Sequence, residues 1–137
     1  MKVKKIVELK TQFSFEAPIV STAKNIAAKE QLKNMLDLNT FLTPSPKEYF
    51  LVKVSGESMI NEGIYDGDIL IVNKNEFPKD GKVVIAALNG EMAVKTYRNI
   101  EGTVYLFSAN EKFLPIEIKP FWEFEIQGVV KHVIHKL

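Results

Sequence analysis

Residues 54–72 read VSGESMINEGIYDGDILIV. Gly56 stands two places before Ser58, the apolar pair Met59-Ile60 follows it, and Asp66-Gly67 is a turn signal ahead of the apolar run DILIV. This is the signature of a turn and short loop that deliver the chain into a strand. A serine in such a turn is ordinary by itself. It acquires chemistry only if a base lies within reach, because a hydroxyl is a weak nucleophile until a neighbour takes its proton. What the later strands bring to Ser58 therefore decides the reading.

They bring a lysine. KVVIAAL (82–88) and EMAVKTY (91–97) are joined by Asn89-Gly90, the strongest short-range signal for a β-hairpin. With that two-residue loop, Leu88 faces Glu91 and Val84 faces Lys95. Alternation then places Lys95 on one strand face with Ala93 and Tyr97, and Met92 and Val94 on the other. If the Lys95 face is covered, burial disfavours the ammonium and lowers its pKa. The fall runs from about 10.4 toward the roughly 7–8 of catalytic lysines. A neutral amine is a competent general base for Ser58. Gly56 permits a sharp turn and close approach to a peptide. The backbone N–H groups of Ser58 and Met59 are candidates for an oxyanion hole. Taken singly, a turn serine and a strand lysine are more often a plain turn residue and a solvated cation.

The surrounding text is β-rich from Glu48 onward. EYFLVKV (48–54), DILIV (68–72), TVYLFS (103–108) and the region EFEIQGVVKHVIHKL (123–137) read as strands, with FPKDG (77–81) a further turn and Pro115 and Pro120 marking an irregular connection. The first 36 residues differ. Residues 1–25 read as an arm in which Phe13, Phe15 and Ala17 alternate with polar residues until Pro18 breaks the pattern. Ala28, Leu32, Met35 and Leu36 are spaced for a short helix over Ala27–Leu38, and DLNTFLTPSPKE (37–48) for an irregular link. The expected organisation is an arm with a short helix over 1–36 and a mainly β domain over 37–137.

Composition narrows the function classes. The 137 residues carry 18 basic and 17 acidic side chains, a net charge of +1, so there is no global basic field for sequence-specific or non-specific DNA binding. The absence of cysteine removes a disulfide scaffold, a thiolate zinc site and a thiol nucleophile. MKVKKIVELKTQFSFEAP (1–18) lacks the apolar core of a signal peptide, and no run is long enough to span a bilayer; a soluble, cytoplasmic chain is expected. Asp66 and Asp68 read as turn residues rather than metal ligands. His132 and His135, three apart in a strand-like region, point to opposite faces. Neither metal nor cofactor is expected.

SGESMINEGIYDGDILIV (55–72) resembles the Ser-Met box of the LexA-like family of self-cleaving Ser/Lys proteins, and VIAALNGEMAVKTY (84–97) resembles that family's lysine strand. The separation of 95 − 58 = 37 residues suits the family, and the likeness runs from about Asp37, through DLN (37–39), to GVVKHVIHKL (128–137). The resemblance implies a mainly β peptidase fold with Ser58 as nucleophile and Lys95 as general base in a cleft. It implies cleavage of one bond in the protein's own amino-terminal arm, stimulated by RecA filaments on single-stranded DNA. Some 36 residues ahead of the shared region leave no room for a helix-turn-helix domain, which points within the family to its SOS-mutagenesis branch. That branch implies a homodimer whose trimmed form serves a Y-family polymerase subunit in translesion synthesis. The family cuts between a small residue and glycine, and no glycine precedes Gly56. Counting back from Asp37 selects Thr22-Ala23, with Ala23-Lys24 and Ala27-Ala28 as alternatives. The strand-like Thr11–Ala17 stretch is suited to deliver the bond by pairing with a sheet edge. Two other classes stay open. One is a non-cleaving dimeric binding module of the same fold that regulates a polymerase. The other is a membrane-associated signal peptidase, which shares the Ser-Met box and later lysine but needs an anchor not found here.

Overall fold

The structure, a computed structural model, describes residues 1–8, 16–18 and 35–137. Their elements run β1 (Lys2–Glu8), β2 (Glu16–Pro18), β3 (Met35–Asp37), α1 (Leu38–Leu42), β4 (Tyr49–Ser55), β5 (Ile69–Asn73), β6 (Val83–Leu88), β7 (Glu91–Ile100), β8 (Thr103–Phe107), β9 (Ile116–Glu117) and β10 (Phe124–Ile134), with single 3-10 turns at Pro46–Glu48 and Ile60–Glu62. The fold is mainly β, as the alternating segments require.

One antiparallel sheet has the order β1-β4-β5-β10-β6-β7-β8-β9, and β1 also touches β7. The sheet therefore closes on itself through β1, which pairs with β4 along its length and meets β7 at Lys2↔Ala93. Closure removes edges that would otherwise expose unpaired backbone groups. β2 and β3 form a separate two-stranded ladder, Glu16↔Asp37 to Pro18↔Met35.

Alternation gives each strand an inner and an outer face. Val52 and Val54 of β4, Leu70 and Val72 of β5, Ile85 of β6 and Val94 of β7 converge with Met59, Ile64 and Met1 in one buried cluster. The opposite parity, Val84 and Ala86 with Leu106 and Val129, forms a second cluster against which Tyr97 and Phe124 pack. Each such side chain stabilises by about 1.5–3 kcal/mol. The β6–β7 hairpin has the expected register, with Leu88↔Glu91 and Val84↔Lys95. Asn89 (φ 49°) and Gly90 (φ 84°) both take positive φ, as a type I′ turn demands.

Three local expectations change. Residues 2–8, read as part of an arm, are a strand of the main sheet. Met35–Asp37, read as the end of a helix, is a strand, where pairing with β2 outweighs the helical spacing of Met35 and Leu36 with Ala28 and Leu32. A different short helix, α1, begins at Leu38, within the stretch read as an irregular link. There Asp37 accepts from the Asn39 N–H (3.0 Å) and the Thr40 hydroxyl (3.0 Å), an N-cap that the sequence DLNT allows. The rest of the expected helix lies outside the described residues, as do Thr22-Ala23, the alternative bonds and Thr11–Phe15.

Gly128 marks where β10 shifts register against β6 and runs close to β5. A Cβ there would lie 2.5 Å from Val72 Cγ1 and 2.7 Å from the Asn73 carbonyl oxygen. Gly128→Ala is expected to lower stability by roughly 1–3 kcal/mol through overpacking, read as a fall in the urea midpoint at unchanged slope; a midpoint equal to wild type would contradict the contact.

Candidate active site

The edge of β7 changes partner at Lys95. On the amino-terminal side it meets β1, with Lys2↔Ala93 and the Val94 N–H donating to the Met1 carbonyl (2.9 Å). On the carboxyl-terminal side it pairs with β8, beginning at Thr96↔Phe107. Lys95 sits in the seam between these two ladders. Ser108, the residue after β8, lies directly across by continuation of the register, and Met1 opens β1 beside it. Ser58 arrives from the loop after β4, the other neighbour of β1.

Both sequence-nominated residues are buried, Ser58 at 1% exposure and Lys95 at 8%. They are brought to one place, but they meet through a third group. The Met1 amine donates to the Ser58 hydroxyl and hydrogen-bonds with Lys95. Lys95 Nζ donates to Ser108 Oγ at 2.7 Å and lies 5.6 Å from the centre of the Phe113 ring, a favourable setting for a cation.

Electrostatics follow from burial. Lys95 is pushed below the ordinary lysine value by desolvation, partly opposed by its hydrogen bond with the Met1 amine. The Met1 amine falls from 8.0 to about 6, first through desolvation and then through the positive charge of Lys95. Near neutral pH the two nitrogens thus hold fewer protons than separate amines in water would.

The loop that carries Ser58 is braced at both flanks. Gly56 turns at φ 103°, and its N–H donates to Asp66 Oδ1 (2.9 Å). Asp68, buried, accepts from the Tyr65 N–H (2.8 Å) and pairs with His135 Nδ1 (2.7 Å). The two aspartates thus serve the turn. His135 lies beyond the end of β10, so strand alternation does not govern it, while His132 in β10 contacts the ring of Phe41 (5.8 Å between centroids). No group of three or more His, Asp or Glu side chains suited to a metal occurs among the described residues.

From the far side, the segment after β8 straps the same loop. Asn110 Nδ2 donates to the Glu57 carbonyl (2.9 Å). The Asn61 N–H donates to the Ala109 carbonyl (2.8 Å), and the Ala109 N–H points to Met59 Sδ at 3.4 Å. Residues 108–110 therefore touch the lysine and the serine loop together. The sequence reading missed Ser108, Asn110 and Met1. Only the hairpin register, continued past Phe107, offered a signal for Ser108.

Comparison with known proteins accords with this arrangement. A family profile described as Peptidase S24-like matches residues 16–131. The LexA repressor of Dechloromonas aromatica is 37% identical over 116 residues, 84% of this chain and 57% of the relative. LexA repressor 2 of Pseudomonas putida is 36% identical over 119 residues, 86% of this chain and 54% of the relative. The LexA repressor of Pectobacterium carotovorum is 41% identical over 90 residues, 65% of this chain and 45% of the relative. The chain spans about half the length of these relatives. A strand lysine and a turn serine gathered at one dry seam, within a profile match covering most of the chain, place it in the Peptidase S24-like family.

Proposed function

We propose that the chain is a Ser/Lys autoprotease of the UmuD-like kind, cutting one bond in its own amino-terminal region. The observation that carries this reading is the pairing of a buried serine and a buried, pKa-lowered lysine around one shared nitrogen, that of Met1. A scissile peptide nitrogen held where that amine lies would be within reach of both side chains.

In the first step Ser58 Oγ attacks the scissile carbonyl carbon while neutral Lys95 Nζ takes the hydroxyl proton. The tetrahedral oxyanion is received by the Ser58 and Met59 N–H groups, for which no other acceptor is found among the described residues. Collapse breaks the C–N bond, and the Lys95 ammonium gives its proton to the departing amine. Water, deprotonated by Lys95, then hydrolyses the acyl-serine and restores the hydroxyl. Delivery from the same chain, or from the partner within a dimer, makes the attack effectively unimolecular or nearly so. Thr22-Ala23 is the proposed bond, delivered by the stretch before it.

Family membership supports a homodimer and stimulation by RecA filaments on single-stranded DNA; the trimmed form would then join a Y-family polymerase subunit. No helix among the described residues is long and apolar enough to cross a membrane, which weakens the signal-peptidase reading. A second reading, a non-cleaving binding module, is favoured by two observations. The Met1 amine already occupies the Ser58 hydroxyl, and no glycine precedes Gly56.

Intact mass after incubation at alkaline pH, for wild type beside Ser58→Ala, separates the two. Loss of a single amino-terminal piece in wild type alone is expected. A wild-type mass that stays unchanged even with RecA filaments on single-stranded DNA would select the binding module. Lys95→Ala is expected to slow cleavage by about 10²–10⁴-fold. The wild-type rate should rise with pH as Lys95 loses its proton, with its midpoint below the free-lysine value of about 10.4; a flat profile over that range would remove lysine as the base.

The Met1 amine gives an independent pH signature. Its folded pKa lies below its ordinary value, so the docked state takes up a proton less readily than the released one, and docking weakens as pH falls from 8.0 through about 6. Amide-exchange protection factors in β1 should fall across that window, more than those in β6. Equal behaviour of the two strands would argue against the amine contact.

A further inference from the structure

We propose that Ser108 is the positioning residue for Lys95, holding its amine in the seam with the nitrogen lone pair free to face Ser58. The inference rests on the Ser58/Lys95 reading above and adds a third residue to it.

The geometry has three parts. Lys95 Nζ donates to Ser108 Oγ at 2.7 Å, within the strong range for such a bond. Ser108 stands opposite Lys95 because the β7–β8 register, Thr96↔Phe107 and Tyr97↔Leu106, continues by one step. The next two residues, Ala109 and Asn110, are tied to the loop that carries Ser58 through the Asn61 N–H and the Glu57 carbonyl. The hydroxyl that holds the lysine is therefore fixed in the same frame as the nucleophile.

Something must supply this restraint. Lysine reaches its nitrogen through a flexible four-carbon stem with three rotatable donors, so burial of the stem alone leaves the amine free to swing. The groups around it offer few alternatives. Val84, across on β6, and Ala93, on the same strand face, carry no polar side-chain atom, and Tyr97, also on that face, packs against the second apolar cluster. Phe113 presents a ring. Among the described residues the Met1 amine, just ahead of β1, is the titratable group that acts on Lys95, and no carboxylate pairs with it.

Proton count explains why an acceptor suits this position. An ammonium has three N–H donors; the neutral amine keeps two N–H bonds and one lone pair. Donation to Ser108 Oγ survives deprotonation, and it directs the lone pair away from Ser108. A carboxylate in the same place would instead favour the charged form and disable the base.

The test uses the full chain with Ser108→Ala and Ser108→Thr, and two readouts. The first is the rate of self-cleavage against pH. The second is the titration of Lys95 followed by NMR at its Cε. Ser108→Ala should lower the high-pH plateau by about 100-fold, the scale of a misplaced catalytic group, with the unfolding midpoint unchanged. Its Lys95 midpoint should move to lower pH, because the lost acceptor favoured the ammonium. Ser108→Thr, which keeps the hydroxyl, should recover most of both. A Ser108→Ala chain that cleaves at the wild-type rate overturns the proposal, as does an unmoved Lys95 titration. If wild type itself does not cleave, the autoprotease reading falls. The Lys95 titration then still decides whether Ser108 holds the amine, since that readout needs no turnover.

Discussion

Keeping a lysine amine dry is the constraint on which the rest of this molecule turns. Lys95 is 8% exposed, and its stem lies across from Val84 within the β6–β7 ladder. Burying a cation without a carboxylate partner is unfavourable unless the proton leaves or other groups solvate the charge. The fold supplies a hydroxyl, an aromatic face and a second amine in place of an anion. Each of these tolerates a neutral nitrogen. A carboxylate would have produced a stable ion pair and a chemically inert lysine.

The serine side obeys a complementary rule. A loop that presents a buried hydroxyl for the proposed attack cannot be loose, since a displacement of an ångström would cost about 10²-fold in rate. Rigidity here comes from polar bonds rather than apolar packing alone. Asp66 holds Gly56, Asp68 holds Tyr65 and His135, and Asn110 holds Glu57. Buried polar networks specify one arrangement when all their members are satisfied. That the aspartates, read in sequence as turn residues rather than metal ligands, serve as loop braces in space follows from this need.

The hairpin, and the placing of Lys95 on its strand and Ser58 on its turn, were legible because each depends on local rules. Asn89-Gly90 sets the register, and the register puts Lys95 opposite Val84; period-2 alternation then assigns faces. Ser58 was legible from Gly56 and Met59 as a turn. What was not legible depends on long-range closure. The Met1–Ser58 contact spans 57 residues, and nothing in MKVKKIVE distinguishes a strand that seals a sheet from a tail. Met35 and Leu36 have helical spacing, yet they pair with Ala17 and Pro18, a partner that no window of neighbouring residues contains. Ser108 fell between the two cases: its position follows from the register, but its meaning required knowing that β1 begins beside the residue at which β8 has just ended.

The seam joins these points into one physical argument. On the proposed autoprotease reading a substrate strand has to enter between β4 and β7 to reach Ser58 and Lys95, yet an open gap there would admit water, rehydrate the amine and restore its ordinary pKa. The gap must be filled whenever substrate is absent. β1 fills it, pairing with β4 and meeting β7 through Met1 and Lys2, with the Met1 side chain in the core. The occupant also mimics what it excludes: an extended chain in the strand register, with a nitrogen on the serine. A site proposed to accept a strand is most readily kept dry by a strand, and the sheet closure that stabilises the fold is then the same event that keeps the Lys95 amine from water.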